Sequence, residues 1–194
     1  MRTTDAIADA PATQNQTHPT SMRAFTQAAY GGPETLTTAR VEVPTPSASQ
    51  VLVEVAAAGI DRGVWHLVTG RPYLVRLAGY GVRSPKQPIP GLDLAGRVVA
   101  VGGDVTRFRP GDRVFGIGSG AYAEYALAEQ DKLSHTPDTI TDEQAAAAAI
   151  SGGTALQAVT DIGRCSMANA CWSSARPAAS AATRSSWPSP TARP

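Results

Sequence analysis

The sequence predicts a β-rich α+β fold, a barrel or sandwich of short strands that exits through short helices at its C-terminal end. Three observations carry this prediction. From Met22 to about residue 128, short branched-apolar runs alternate with glycine- and proline-bearing turns. At Thr141 the pattern changes to a capping box and an alanine run. After residue 164 the composition changes again, and the last 30 residues contain no Leu, Ile, Val, Lys, Asp or Glu.

Arg23 to Tyr30 reads as the first strand, and GGPE (Gly31 to Glu34) as the turn after it. Leu36 to Val43 is the second strand, stopped by PTPS. In QVLVEVAAAG, Val51, Val53 and Val55 stand at period two, the mark of a half-buried strand. LAGRVVAV (Leu94 to Val101) is another strand, ended by GGD. PGD (Pro110 to Asp112) turns the chain into RVFGIG, and AYAEYAL (Ala121 to Leu127) is a further strand. GIGSG (Gly116 to Gly120) runs into that alternating segment. A phosphate loop needs a helix there, so the glycines read as a turn. VAVGGDV is likewise a strand-to-turn corner.

TDEQ then opens a helix: Thr141 caps it and Gln144 reaches back. Asp142 and Glu143 suit the positive N-terminal end. Ala145 to Ile150 is strongly helix-forming, SGG interrupts it, and TALQAVTDI forms a second short helix stopped by Gly163.

Charge and ends exclude several classes. The formal net charge is +1, which points to neither nucleic acid nor an anionic membrane surface. There is no run of about 20 apolar residues for a membrane span. Residues 1–21 have no apolar core and carry acids, so they read as a disordered leader, and a cytoplasmic protein is expected. Both cysteines, Cys165 and Cys171, lie in the last 30 residues. The preceding chain therefore has neither disulfides nor thiolate metal ligands. Residues 164–194, without branched aliphatics, read as a second disordered segment.

Four stretches, taken in order, resemble the medium-chain dehydrogenase/reductases. They are AAGIDRGVWHLVTG (Ala57 to Gly70), IPGLDLAGRVVAVGGDVTRFRPGDRVFG (Ile89 to Gly116), GAYAEYALA (Gly120 to Ala128) and DEQAAAAAISGGTALQAV (Asp142 to Val159). The resemblance covers residues 22–163 and is greatest to the zinc-independent quinone-oxidoreductase branch. It implies a GroES-like partly open β-barrel, followed in complete members by a Rossmann domain that binds NADP(H). This chain shows no Rossmann domain sequence. The implied reaction is two-electron reduction of a small quinone, enone or related carbonyl, and a homo-oligomer is compatible with it. The alternative is a non-enzymatic GroES-like interaction module, because fold alone does not decide function.

Zinc-dependent relatives use a Cys after Gly-Ile or Gly-Val, a His in Gly-His-Glu, and a four-Cys loop. Here the first position is Asp61 and the second motif is Gly91-Leu92-Asp93. A catalytic zinc wants three N, S or O ligands; Asp61 and Asp93 alone do not make such a site. His66, beside Trp65, reads as a packed or surface residue, and no metal is expected. The resemblance places Asp61 near the nicotinamide, where many relatives carry Asn. Thr154 matches the Thr that contacts the nicotinamide end, and it is also readable as the cap of the second helix. Trp65 and Tyr73 would line the substrate pocket, or else serve as core aromatics. Tyr73 is the candidate proton donor.

The family should continue after DIGR with a strand, a glycine-rich turn and a helix. Restoring one base at the Arg164–Cys165 junction supplies them. Three restored residues are forced by the code: Met167-Ala168 gives Gly, Cys171-Trp172 gives Leu, and Trp187-Pro188 gives Ala. With permitted codons elsewhere the reading is VQHGQRVLVIGASGGVGSYAVKLAK, a buried strand and a dinucleotide-type turn. A frameshift is therefore expected, and the 194-residue product is expected to be inactive.

Overall fold

The computed structural model describes residues 18–74 and 76–162. The expected leader therefore falls largely, and the expected out-of-frame segment wholly, outside the described residues. Strands β1 (Ser21–Gln27) and β2 (Leu36–Glu42) form an antiparallel hairpin, with Ser21 opposite Glu42 and Gln27 opposite Leu36. Met22 and Ala24 supply its buried face. β1 ends before the expected Tyr30. Gln27 turns its side-chain amide onto the carbonyls of Ala29 (2.8 Å) and Val68 (2.6 Å), and the chain bends there.

The second sheet has five antiparallel strands: β3 (Gln50–Ala58), β4 (Asp93–Val101), β5 (Arg113–Ile117), β6 (Tyr125–Glu129) and β7 (Leu133–His135). Their order is β6-β3-β4-β5-β7. Single bridges join Ala24 to Ala123 and Ser119 to Leu127. They draw the hairpin and the sheet edge into a curled half-barrel, the GroES-like form expected.

β3 is more buried than its alternation suggests. Val51 and Val53 face an interior with Leu94, Val98, Phe108, Val114 and Leu133. Leu52 packs on the opposite face with Val99 and Ala100. A strand covered on both sides reads as a continuous apolar run. Each such side chain contributes roughly 1.5–3 kcal/mol by leaving water. The β3–β4 register shifts at Leu52/Val53 and at Val55/Ala57. Gly96 lies opposite the second shift, where a Cβ would stand 2.0 Å from the Glu54 carbonyl oxygen. The close approach of β3 excludes any side chain there.

The strand expected over Ala121–Leu127 begins four residues later. Ala121 and Tyr122 spend their amides on the carbonyls of Gly91 (3.1 Å) and Pro90 (3.0 Å) and so line a loop. VAVGGDV is the strand-to-turn corner expected, with Gly102 N–H donating to Gln50 O at 2.8 Å. GIGSG is not the turn expected: Gly116 and Ile117 end β5, paired with Leu94 and Asp93, and Gly118 N–H donates to Leu92 O at 2.7 Å.

Two helices complete the fold. α1 (Arg62–Thr69) was not expected from the sequence. α2 (Asp142–Gln157) carries the expected capping box: Gln144 N–H donates to Thr141 Oγ1 (3.3 Å), and Thr141 N–H to Gln144 Oε1 (3.0 Å). Its Ala145 and Ala146 seat on Ala95 of β4, small side chains that allow close approach to the sheet. Arg113 of β5 ties the helix start down, donating to Asp142 Oδ1 at 2.7 Å. The expected break at SGG does not occur. α2 runs through Ser151, Gly152 and Gly153 and continues into a wider turn at Ala158–Ile162. Two mid-helix glycines cost about 1 kcal/mol each, which the cap and the alanine seat offset. Thr154 therefore lies inside a helix and caps nothing. No helix among the described residues is long and apolar enough to cross a membrane.

Candidate functional site

α1 builds one wall of the site. Asp61 is its N-cap, with Oδ1 accepting from Val64 N–H at 2.6 Å. Gly70 ends it at φ 60°, a left-handed stop where a Cβ would meet the Tyr30 ring at 2.6 Å. Val64 and Val68 face inward and are buried, which turns Trp65 outward. An Asp followed by an apolar-periodic run and a Gly eight residues after its start was the signal for this helix.

Beside α1 lies an open cavity of about 410 Å³, lined by Tyr30, Glu34, Trp65, Thr69, Tyr73 and Arg76 among others. The expected pocket aromatics are thus brought together. Neither belongs to the core: Trp65 is 47% exposed and Tyr73 67%. Arg76, which sequence reasoning missed, organises this wall. Its guanidinium lies 4.4 Å from the Tyr30 ring centre and 4.8 Å from that of Tyr73. Its Nε donates to Gly70 O at 3.0 Å. Stacking of this kind holds a cation beside two ring faces. Tyr30 Oη reaches the carbonyls of Tyr80 (3.0 Å) and Gly81 (2.7 Å), which pins the segment that follows Tyr73. The result is an aromatic, cationic cleft suited to a flat substrate with electron-rich oxygens. The signal in the sequence was RPYLVR, an aromatic between two arginines.

His66 is half-buried, with Nδ1 2.6 Å from Arg71 O and its ring edge-on to Trp65. That is the packing role expected of it. Among the described residues no group of three or more His, Cys, Asp or Glu stands close enough to hold a metal.

Two aspartates, Asp61 before α1 and Asp93 at the start of β4, are buried side by side. Asp61 is 6% exposed and Asp93 2%. Asp93 Oδ1 accepts from Ile150 N–H of α2 at 2.9 Å. Burial, with a smaller contribution from Asp61, pushes the Asp93 carboxyl up to about 7. Tyr122 donates to Gly59 O at 3.2 Å, and burial beside both carboxylates pushes its phenol up to about 12. Thr154, one turn beyond Ile150, is exposed on α2 and lines no part of the cavity.

The curled half-barrel with a capped helix on its flank defines a GroES-like domain. Residues 47–138 match the alcohol dehydrogenase GroES-like domain family. Over 142 residues the chain is 39% identical to the quinone oxidoreductase of Mus musculus, a match covering 71% of this chain and 40% of that protein. Among solved structures it is similar to the quinone oxidoreductase from Coxiella burnetii, with TM-score 0.65 and 27% identity over 73% of this chain and 45% of that one. A mycobacterial protein solved in complex with NADPH gives TM-score 0.64 and 28% identity, covering 73% of this chain and 42% of that one. The chain belongs to the medium-chain dehydrogenase/reductase superfamily, in its quinone-oxidoreductase-like branch. It spans about two fifths of the length of the curated relatives it matches, 40% of the mouse protein.

Proposed function

We propose that this barrel is the substrate-side domain of an NADP(H)-dependent, zinc-independent reductase of small quinones, enones or related carbonyls. The observation that carries the proposal is the open cleft in which Arg76 stacks between Tyr30 and Tyr73. Quinone-oxidoreductase relatives and the NADPH-bound neighbour support the class of reaction and cofactor.

Trp65 and Tyr73 hold a flat substrate against the cleft wall. Arg76 draws its carbonyl oxygen, and the exposed Tyr73 hydroxyl is the proton donor to that oxygen. Bound NADPH supplies the hydride. Thr154 fits a cofactor contact: it is exposed, and beside it Gly153 borders open space. Asp61 fits a direct contact poorly, with one oxygen capping α1 and the carboxyl buried. Its part at the cofactor end is to fix where α1 begins. Zinc independence is supported by the same residues. Leu92 replaces an imidazole, and both aspartates are engaged with helices.

We infer further that residues 165–194 are translated out of frame. Their codons, shifted by one base, encode the strand and glycine-rich turn that the family uses for the pyrophosphate. On that reading the 194-residue polypeptide gives no turnover. The test is to sequence the source DNA across codons 160–194 and to express the restored-frame protein beside the 194-residue one. NADPH oxidation dependent on a quinone or enone, by the restored protein alone, is expected. Turnover by the 194-residue chain sinks the frameshift reading, and no turnover by the restored protein sinks the enzymatic one.

A further inference from the structure

We propose that Asp61 and Asp93 share a single proton and act as positioning residues, coupling the pocket helix α1 to α2. Each carboxyl already holds one helix by one oxygen. Asp61 Oδ1 accepts from Val64 N–H at the start of α1. Asp93 Oδ1 accepts from Ile150 N–H in the middle of α2. The remaining oxygens are left to each other. Asp61 Oδ2 is fully buried and has no hydrogen-bond donor. The Asp93 carboxyl lies next to the Asp61 carboxyl and feels its charge. A buried acceptor without a donor costs about 1–3 kcal/mol, and two ionised carboxylates in contact cost more. One proton on Asp93 Oδ2, donated to Asp61 Oδ2, removes both costs. The chain Val64 N–H, Asp61, proton, Asp93, Ile150 N–H then runs unbroken from one helix to the other.

The surroundings favour a proton over a cation in that place. From α1 the facing titratable group is Asp61, and from β4 it is Asp93 itself. Tyr122, in the loop before β6, directs its hydroxyl to Gly59 O. α2 contributes only the Ile150 amide and the Ala146 carbonyl oxygen, 2.7 Å from where a Cβ on Gly59 would stand. No Lys or Arg is paired with either carboxyl among the described residues. A catalytic zinc wants three protein ligands and a structural one four; among the described residues no such group of His, Cys, Asp or Glu stands here. Burial of Asp93 is consistent with a proton retained to about pH 7.

The inference concerns the folded barrel and stands whether or not the proposed reductase activity does. It is tested on the full 194-residue chain labelled with ¹³C at the aspartate carboxyls and ¹⁵N at the amides. Asp93 is expected to titrate near pH 7 in place of the ordinary carboxylate range near 4. The amide signals of Val64 and Ile150 are expected to move together with the same midpoint, a readout that a merely structural acid would not give. Asp93→Asn puts a permanent amide donor at Oδ2; it should keep the Val64 and Ile150 signals at their low-pH positions and abolish the midpoint near 7. Asp61→Asn offers a donor to Asp93 and should lower its midpoint below that of the parent, while burial keeps it above the ordinary range. Titration of Asp93 near 4 in the parent chain overturns the proposal. So do Val64 and Ile150 signals that move with different midpoints, or an Asp61→Asn variant whose Asp93 midpoint is the same as the parent's. If Asp93→Asn fails to fold, the parent titration and Asp61→Asn decide the question alone.

Discussion

Replacing Leu94 with alanine tests whether the interior of the half-barrel is one packed unit. Leu94 is 0% exposed and packs with Val51, Val53, Val98, Val114 and Leu133. Truncating a fully buried leucine removes the transfer free energy of its methyl groups and leaves a cavity, together costing about 2.7–5 kcal/mol. The high half of that range is expected, because Leu94 bridges β4 to the Gly118 turn: a Cβ on Gly118 would stand 2.3 Å from Leu94 Cδ2. That neighbour gives the experiment an internal check. Gly118→Ala alone should destabilise the chain by about 1–3 kcal/mol through overpacking. In the Leu94→Ala background the new methyl enters the space vacated by Leu94 Cδ2 and Cγ, while the Leu127 carbonyl oxygen stays 2.9 Å away. The double mutant should therefore lose at least about 1 kcal/mol less than the sum of the singles. Urea unfolding followed by circular dichroism measures all three. Strict additivity, or a Leu94→Ala loss below about 1.5 kcal/mol, would refute the packing described.

Thr141→Ala removes the capping box of α2 and should cost about 1 kcal/mol, within a range of 0.5–2; Thr141→Ser should recover most of it, both read by urea unfolding. The buried Asp93 gives the chain a pH-dependent stability with a definite sign. Its folded value of about 7 lies above the ordinary 3.8, so the folded state binds the extra proton. The resulting stability is fully present below pH 3.8 and is lost as pH rises through 7. At about 1.4 kcal/mol per pH unit the loss is up to about 4 kcal/mol, measurable as a fall in urea midpoint between pH 4 and 7 that Asp93→Asn flattens.

The strands of the hairpin and β3–β5 were legible because each carries its own local signal, whereas the three-residue β7 (Leu133–His135) carried none and was not expected. QVLVEVAAAG and LAGRVVAV are branched-apolar runs between turn residues, and the structure departs from them by a residue at either end. AYAEYAL misled because alternation records burial on one face, not pairing. Ala121 and Tyr122 satisfy that alternation while hydrogen-bonding to Pro90 and Gly91 from a loop. SGG misled for the converse reason. Glycine lowers helix propensity locally, but α2 is fixed by its capped start and by Ala145 and Ala146 on the sheet. Tertiary packing overrides a propensity of about 1 kcal/mol per residue.

The site was legible only where family spacing carried it. Trp65 and Tyr73 fall on one cavity because α1 and the segment after Gly70 fold back on each other. Arg76 has no sequence signal apart from its neighbours, since its role arises when Tyr30, 46 residues earlier, closes over its guanidinium. The acid pair makes the same point more sharply. In the sequence Asp61 stands at the cysteine position and near the expected nicotinamide, and Asp93 is only the residue after Leu92; nothing there pairs the two. In the fold, β3–β4 pairing sets Ala58 beside Leu94 and places both carboxyls at one end of the sheet. There each finds a helix amide, and they are left facing each other. The shared proton proposed for that pair depends on a 32-residue separation that no local pattern records.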